Sequence, residues 1–260
     1  MNKIVSKISA SFNSIGIPRT IYKLTEHSFR VLYRRVIRKQ TIEEKVSRFQ
    51  NIEDRFTEIY RNNYWGNFES VSGNGSTLEA SQNLRRQLPG LVEKFSIQTI
   101  FDAPCGDFHW MREALKNIQV NYIGGDIVRA LVDAHNSNYK NAKTTFIHMD
   151  ITKDSFPASD LMICRDCLFH LAYKDTKLAL QNFIDSGIPY LLTTTYVNNG
   201  AFSNQDIVTG SFRLIDLFSA PYNFPKDVLY RIDDTIPRET SREMCLWSRD
   251  QIISAMEKFQ

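Results

Sequence analysis

From residue 97 onward, short apolar runs alternate with stretches whose apolar positions recur at helical spacing. Residues 97–103, 120–124, 145–148, 161–164 and 190–195 read as buried strands, and 109–116, 129–136 and 174–186 as helices. Residues 228–232 and 243–247 add two more strands, seven in all. Regular strand–helix alternation predicts an α/β fold, a mostly parallel sheet with helices on both faces. Upstream, Val46, Phe49, Ile52, Phe56 and Ile59 form one apolar stripe that predicts a helix over 43–60. Residues 76–88 read as a further helix. Between these two lies Tyr64-Trp65-Gly66-Asn67-Phe68-Glu69-Ser70-Val71-Ser72-Gly73-Asn74-Gly75-Ser76. Its Gly, Ser and Asn favour turns. A plain linker rarely carries Tyr-Trp, so the segment reads as a loop folded over a ligand, against the plainer reading of a surface turn.

Charge separates the first forty residues from the rest. They hold nine Lys and Arg and one acid, Glu26, which makes +8 and leaves −5 for the remainder of a +3 chain. Ile21, Leu24, Phe29, Leu32, Val36 and Ile37 alternate with these bases at roughly helical period. The arm reads as a helical extension, 1–60, ahead of a domain at 61–260. It either packs on the body or meets an anionic surface, a peripheral membrane contact being the functional reading. No run approaches the roughly 18 apolar residues of a membrane span, and the N-terminus is a poor signal peptide. Four scattered cysteines fit a reducing, cytoplasmic compartment better than a disulfide framework.

Three acids stand at or just past strand ends: Asp102 before Ala103-Pro104-Cys105-Gly106-Asp107-Phe108, Asp126 in Gly125-Asp126-Ile127, and Asp150 in Met149-Asp150-Ile151. One such acid alone is commonly a helix cap; three in register mark a ligand edge. Asp126 follows Asp102 by 24 residues, the spacing of a carboxylate that accepts from ribose hydroxyls. Gly106 admits close backbone approach.

These residues resemble class I S-adenosylmethionine-dependent methyltransferases. Residues 102–108 are similar to the family's first motif, with Pro104 and Phe108 standing where glycines are usual and Gly106 retained. Without the glycine series a pyrophosphate has no cradle, which counts against a dinucleotide. The resemblance implies a Rossmann-like seven-stranded sheet ending in an antiparallel C-terminal hairpin, and S-adenosyl-L-methionine as cofactor. It implies that Asp126 holds the ribose, Asp150 the adenine amine, Ile127 and Ile151 the adenine faces, and Asp102 and Gly106 the methionine end, with Trp65 and Arg165 alongside. Residues 64–66, 70–76, 103–108, 125–128, 164–171 and 209–213 look like a bacterial subgroup found with surface-polysaccharide genes. Some of its members are linked to methylating capsule phosphoramidate groups. That implies a sugar or phosphorylated carbohydrate as acceptor, met by Tyr64, Ser72 and Arg213.

At the fourth strand's exit stands Cys164-Arg165-Asp166-Cys167, followed by His170. If the acceptor is a hydroxyl, a base must take its proton. His170 suits that task by its near-neutral pKa, with Asp166 orienting it or acting as base itself. The alternative is a structural histidine. Arg165 and Arg213 suit an anionic acceptor, or structural ion pairs. Cys164 and Cys167 with Cys105 and His109 make at most an incidental zinc set, so no metal is expected. Residues 198–225, polar and aromatic, are long for a connection and read as an inserted substrate loop. Three rival readings stay open: a nicotinamide oxidoreductase, an RNA methyltransferase lacking the usual Asn/Asp-Pro-Pro-aromatic signature, and a non-catalytic binding module. Nucleic acid is the less expected partner.

Overall fold

The computed structural model describes residues 41–237 and 239–259. The expected helix of the basic arm lies outside them. From Ile42 the chain forms one compact unit. Its elements are α1 (Ile42–Val46), α2 (Ile52–Arg61), α3 (Gln82–Lys94), β1 (Thr99–Asp102), α4 (His109–Ala114), β2 (Asn121–Asp126), α5 (Arg129–Tyr139) and β3 (Thr144–His148). There follow β4 (Leu161–Cys164), α6 (Tyr173–Ser186), β5 (Tyr190–Tyr196), β6 (Tyr230–Asp233), β7 (Arg242–Ser248) and α7 (Arg249–Met256).

The seven strands form one sheet in the order β3-β2-β1-β4-β5-β7-β6. Strands β1 to β5 run parallel. Strand β7 lies antiparallel between β5 and β6. The fold expectation holds, with the final pair arranged so that β6 is the outer strand. Alternation along the strands feeds two cores, because successive side chains point to opposite faces. Phe101, Met162, Leu191 and Trp247 enter one core, which α6 covers through Leu180 and Phe183. Ile100, Ile163, Leu192 and Leu246 enter the other, covered by Leu84, Leu88 and Leu91 of α3.

Local chemistry sets the helix ends. Ser248 and Gln251 form a reciprocal capping box at the start of α7. Gly187 closes α6 in the left-handed conformation, φ 75°. Two predicted helices come out differently. The stripe over 43–60 is broken between α1 and α2, because Asn51 caps α2 by accepting from the Glu53 N–H. The helix expected from residue 76 starts only at Gln82. Before it, Thr77 Oγ1 donates to the Asn74 carbonyl and accepts from the Ala80 N–H, and Glu69 takes the Leu78 N–H. These side-chain bonds outcompete a helical ladder.

Candidate active site

The parallel strands end on one edge, and a cavity of about 280 Å³ opens there. Asp102 and Asp126 are the last residues of β1 and β2, and Asp150 follows β3 by two. All three line the cavity, with Gly106, Ile127 and Ile151. Backbone N–H groups of Gly106 and Val128 each donate to Asp126, at 2.9 Å. One carboxylate thereby ties the β1 turn to the β2 turn. Burial pushes its pKa up in spite of those two bonds. Asp102 is pushed further, to about 7, by burial opposed only in part by the Tyr122 hydroxyl that donates to it at 2.8 Å and by the nearby Arg165. Ionising it there costs about 4 kcal/mol relative to water. A ligand ammonium beside it would offset that cost.

The turn between β1 and α4 is clasped to the loop before α3. Ser70 Oγ donates to Asp107 Oδ2 at 2.7 Å, the Val71 N–H donates to the same oxygen at 3.0 Å, and the Asp107 N–H donates to Ser72 Oγ at 2.9 Å. Gly106 sits at φ +54°, and a Cβ there would overlap Ser72 Oγ. Phe108, standing where a glycine is usual, keeps the left-handed conformation at φ 60°. That costs about 1–2 kcal/mol. Its ring offsets the cost by packing 5.1 Å from Tyr122 and 4.9 Å from Phe146.

Across the cavity, His170 ends a short turn after β4. Its Nδ1 lies 2.7 Å from the Ser211 carbonyl, which can only accept, so Nδ1 carries the proton. In the neutral ring Nε2 is then a bare lone pair. Desolvation depresses the His170 pKa below the ordinary imidazole value. Trp65 stacks on the ring at 5.1 Å and 25°. The site thus pairs a carboxylate-rich pocket with a neutral, oriented imidazole.

No family model matches this sequence, and no curated protein matches it. Solved structures do match. The 1,6-didemethyltoxoflavin-N1-methyltransferase of Burkholderia thailandensis, solved with 1,6-didemethyltoxoflavin and S-adenosylhomocysteine, superposes with a TM-score of 0.55 at 12% identity, over 76% of this chain and 86% of that one. Human N-acetylserotonin methyltransferase, solved with S-adenosylmethionine, gives a TM-score of 0.54 at 14% identity, over 75% of this chain and 58% of that one. Magnesium protoporphyrin IX methyltransferase from Synechocystis PCC 6803, solved with S-adenosylhomocysteine, gives 0.53 at 12% identity, over 76% and 98%. This chain has the Rossmann-like methyltransferase fold. It spans little more than half the length of the human enzyme.

Within that methyltransferase fold, eleven of the thirteen residues expected at the site line the one cavity: the six cofactor-edge residues above with Trp65, Ser72, Arg165, Asp166 and His170. Tyr64 and Arg213 do not. Tyr64 turns its hydroxyl to Glu58, 2.9 Å away, and stacks its ring under Lys45. Arg213 is buried beneath the cavity wall, donating to the Tyr222 hydroxyl at 2.6 Å with Tyr173 against its guanidinium. Of the long loop at 198–225, Phe212 lines the cavity, whereas Tyr222 and Phe224 belong to the core.

Arg165 makes a structural ion pair, the second of its two expected readings, and Asp166 pairs with arginines. Arg165 binds Asp234 through two nitrogens, at 3.0 and 3.1 Å. Arg242 donates to both oxygens of Asp166 at 3.0 Å and lies 2.9 Å from Asp234. Burial works to raise the Asp166 pKa, but Arg165 and Arg242 together hold it below the usual carboxylate range. A carboxylate so committed is a weak base, and Arg165 is ion-paired to Asp234 and Asp166, its Nη1 alone making no hydrogen bond. Removing one member would leave a buried charge unpaired, at about 3–5 kcal/mol.

Sequence reasoning missed Asp234 and Arg242, which lie far along the chain from Arg165 and Asp166 and join them only through the sheet. It missed His135, whose Nε2–H donates to the Gly106 carbonyl at 2.8 Å. Ile52, Phe56 and Tyr60 of α2, within the 1–60 extension, also line the cavity. Glu53 binds α2 to β3 through His148 at 3.0 Å. All four cysteines are buried free thiols. Among the described residues, no three His, Cys, Asp or Glu side chains are grouped to hold a metal ion, and no helix is long and apolar enough to cross a membrane.

Proposed function

We propose that this chain is an S-adenosyl-L-methionine-dependent methyltransferase acting on a hydroxyl oxygen of a small polar acceptor, a sugar. The carrying observation is the juxtaposition of three strand-end carboxylates with the neutral His170 across one cavity. The residues fit the cofactor. Asp126 offers a carboxylate where a ribose diol would lie, Ile127 and Ile151 offer apolar faces for adenine, and Asp102 gains a counter-charge from the methionine ammonium. Gly106 lets the turn close against Ser72 while still lining the cavity. When bound, the cofactor supplies an electrophilic methyl group on a sulfonium. Structural neighbours solved with that cofactor or its product support the assignment.

His170 acts as the base. Ser211 fixes the tautomer, so Nε2 is the atom that would hold the acceptor's hydroxyl proton, and the bound cofactor would supply the methyl group to that oxygen. Trp65 holds the ring and excludes water. Asp166 is better read as an anchor for Arg242 than as a base. The likeness to the polysaccharide-associated subgroup supports a carbohydrate acceptor, whereas the ion pairing of Arg165 and the position of Arg213 outside the cavity lining count against a phosphoryl group.

Incubation with methyl-labelled cofactor and hydroxylated acceptors, read by mass spectrometry and NMR, is expected to give an O-methyl product. In His170→Gln the rate should fall about 10²–10⁴-fold with cofactor affinity kept. The wild-type rate should stay level through neutral pH and fall only below the ordinary imidazole range, where His170 protonates. Exclusively N- or C-methylated product would overturn the reading. We further assign the +8 arm to peripheral contact with anionic membrane. Full-length protein should sediment with phosphatidylserine vesicles at low salt and release at high salt; salt-sensitive RNA binding without vesicle binding would reverse that assignment.

A further inference from the structure

The wall around His170 carries more aromatic surface than proton transfer requires. Phe212 lies 5.9 Å from His170, 5.4 Å from Phe169 and 6.5 Å from Tyr196, and Trp65 stacks on the imidazole. Phe212 lines the cavity, yet it is 56% exposed. Its chain neighbours Ser211 and Arg213 are buried, so the ring is held at the rim by a fixed backbone. A large apolar face presented to solvent at a cavity mouth gains free energy from any flat partner that covers it.

Charge narrows the partner. The described lining holds five acids (Asp102, Asp126, Asp150, Asp166 and Glu239), Asp102 among them with a pKa pushed up to about 7, against two guanidiniums, Arg165 and Arg242. Both guanidiniums are ion-paired, and Asp234 behind them adds a further negative charge. An anion entering this cavity meets net repulsion with no unpaired cation among the described lining residues. The sulfonium that shares the space would repel a cationic acceptor, and its single charge would offset only part of the carboxylate repulsion that an anion meets.

Building on the methyl-transfer reading, we propose that the acceptor is an uncharged ring bearing hydroxyl groups, laid face-on against Phe212 with one hydroxyl directed to His170. Phe212 and Trp65 then determine acceptor specificity, while the strand-end carboxylates select the cofactor. Two chemistries present such a face: the C–H face of a pyranoside and the ring of a phenol.

The test uses full-length protein loaded with S-adenosylhomocysteine and saturation-transfer NMR with three probe sets: methyl pyranosides, simple phenols, and phosphate esters of both. Uncharged probes are expected to bind at millimolar concentration, with phosphate esters weaker by about tenfold or more. Whether pyranosides or phenols give the stronger signal identifies the source. In Phe212→Ala, whose exposed side chain leaves the core intact, uncharged-probe binding should fall by about fivefold or more while S-adenosylhomocysteine affinity stays unchanged. His170→Gln should keep probe binding, separating recognition from proton transfer. Tighter binding of phosphate esters, uncharged-probe binding equal in Phe212→Ala, or no uncharged probe bound by the loaded protein would each overturn the proposal. Failure of the protein to load with S-adenosylhomocysteine would instead overturn the methyl-transfer reading beneath it.

Discussion

The site's most informative residues are those held in an unfavourable state by the fold. Asp102 is buried with one hydrogen bond and a pKa of about 7. Its folded pKa lies above the unfolded value near 3.9, so the folded state binds this proton more tightly. Stability from this group is therefore present in acid and is lost as pH rises from about 4 to 7. Asp102→Asn removes the ionisation and keeps an acceptor for Tyr122. At pH 8 it should raise the Tm of the ligand-free protein by roughly 8–16 °C, a gain that shrinks toward pH 5. The same variant should bind S-adenosylmethionine more weakly. A Tm lowered at both pH values would show that Asp102 stabilises the empty fold. Such a trade of stability for ligand affinity is common where a site is built for a charge that arrives later.

At the scale of elements, the cavity depends on how the loop before α3 is fastened. Asp107 binds it through Ser70, Val71 and Ser72, and Glu69 meets His109 at 2.9 Å. Gly106→Ala forces a methyl group onto Ser72 Oγ and strains a backbone at φ +54°. Thermal unfolding should register a loss of about 1–3 kcal/mol, and calorimetry a cofactor affinity at least several-fold weaker. Unchanged affinity would show that the clasp is not part of the site. The clasp also shows what the sequence could and could not disclose. Strands, the three acids and the Trp65 loop were legible because each is a local pattern of period, spacing or turn chemistry. The break before Ile52 and the delayed start of α3 were not, since Asn51, Thr77 and Glu69 override an otherwise continuous apolar stripe. The Arg165–Asp234–Arg242–Asp166 cluster was illegible for a different reason. Its members become neighbours only when β7 inserts beside β5, and no residue spacing announces that event.

For the whole molecule, the division of labour runs across the sheet edge. Strands β1 to β3 present carboxylates, and the exits of β4 and β5 present the imidazole and aromatic rings. The ion-paired cluster joins those exits to β6 and β7, so the antiparallel end of the sheet buttresses that side of the cavity and lines it through Arg242. The central claim is that the carboxylate edge holds S-adenosylmethionine, and isothermal titration tests it most directly. S-adenosylmethionine and S-adenosylhomocysteine would be titrated onto wild type and Asp126→Ala, with circular dichroism to verify that both are folded. The account predicts saturable binding of both ligands by wild type and its loss in Asp126→Ala. A folded wild type that binds neither would contradict it and leave only the fold.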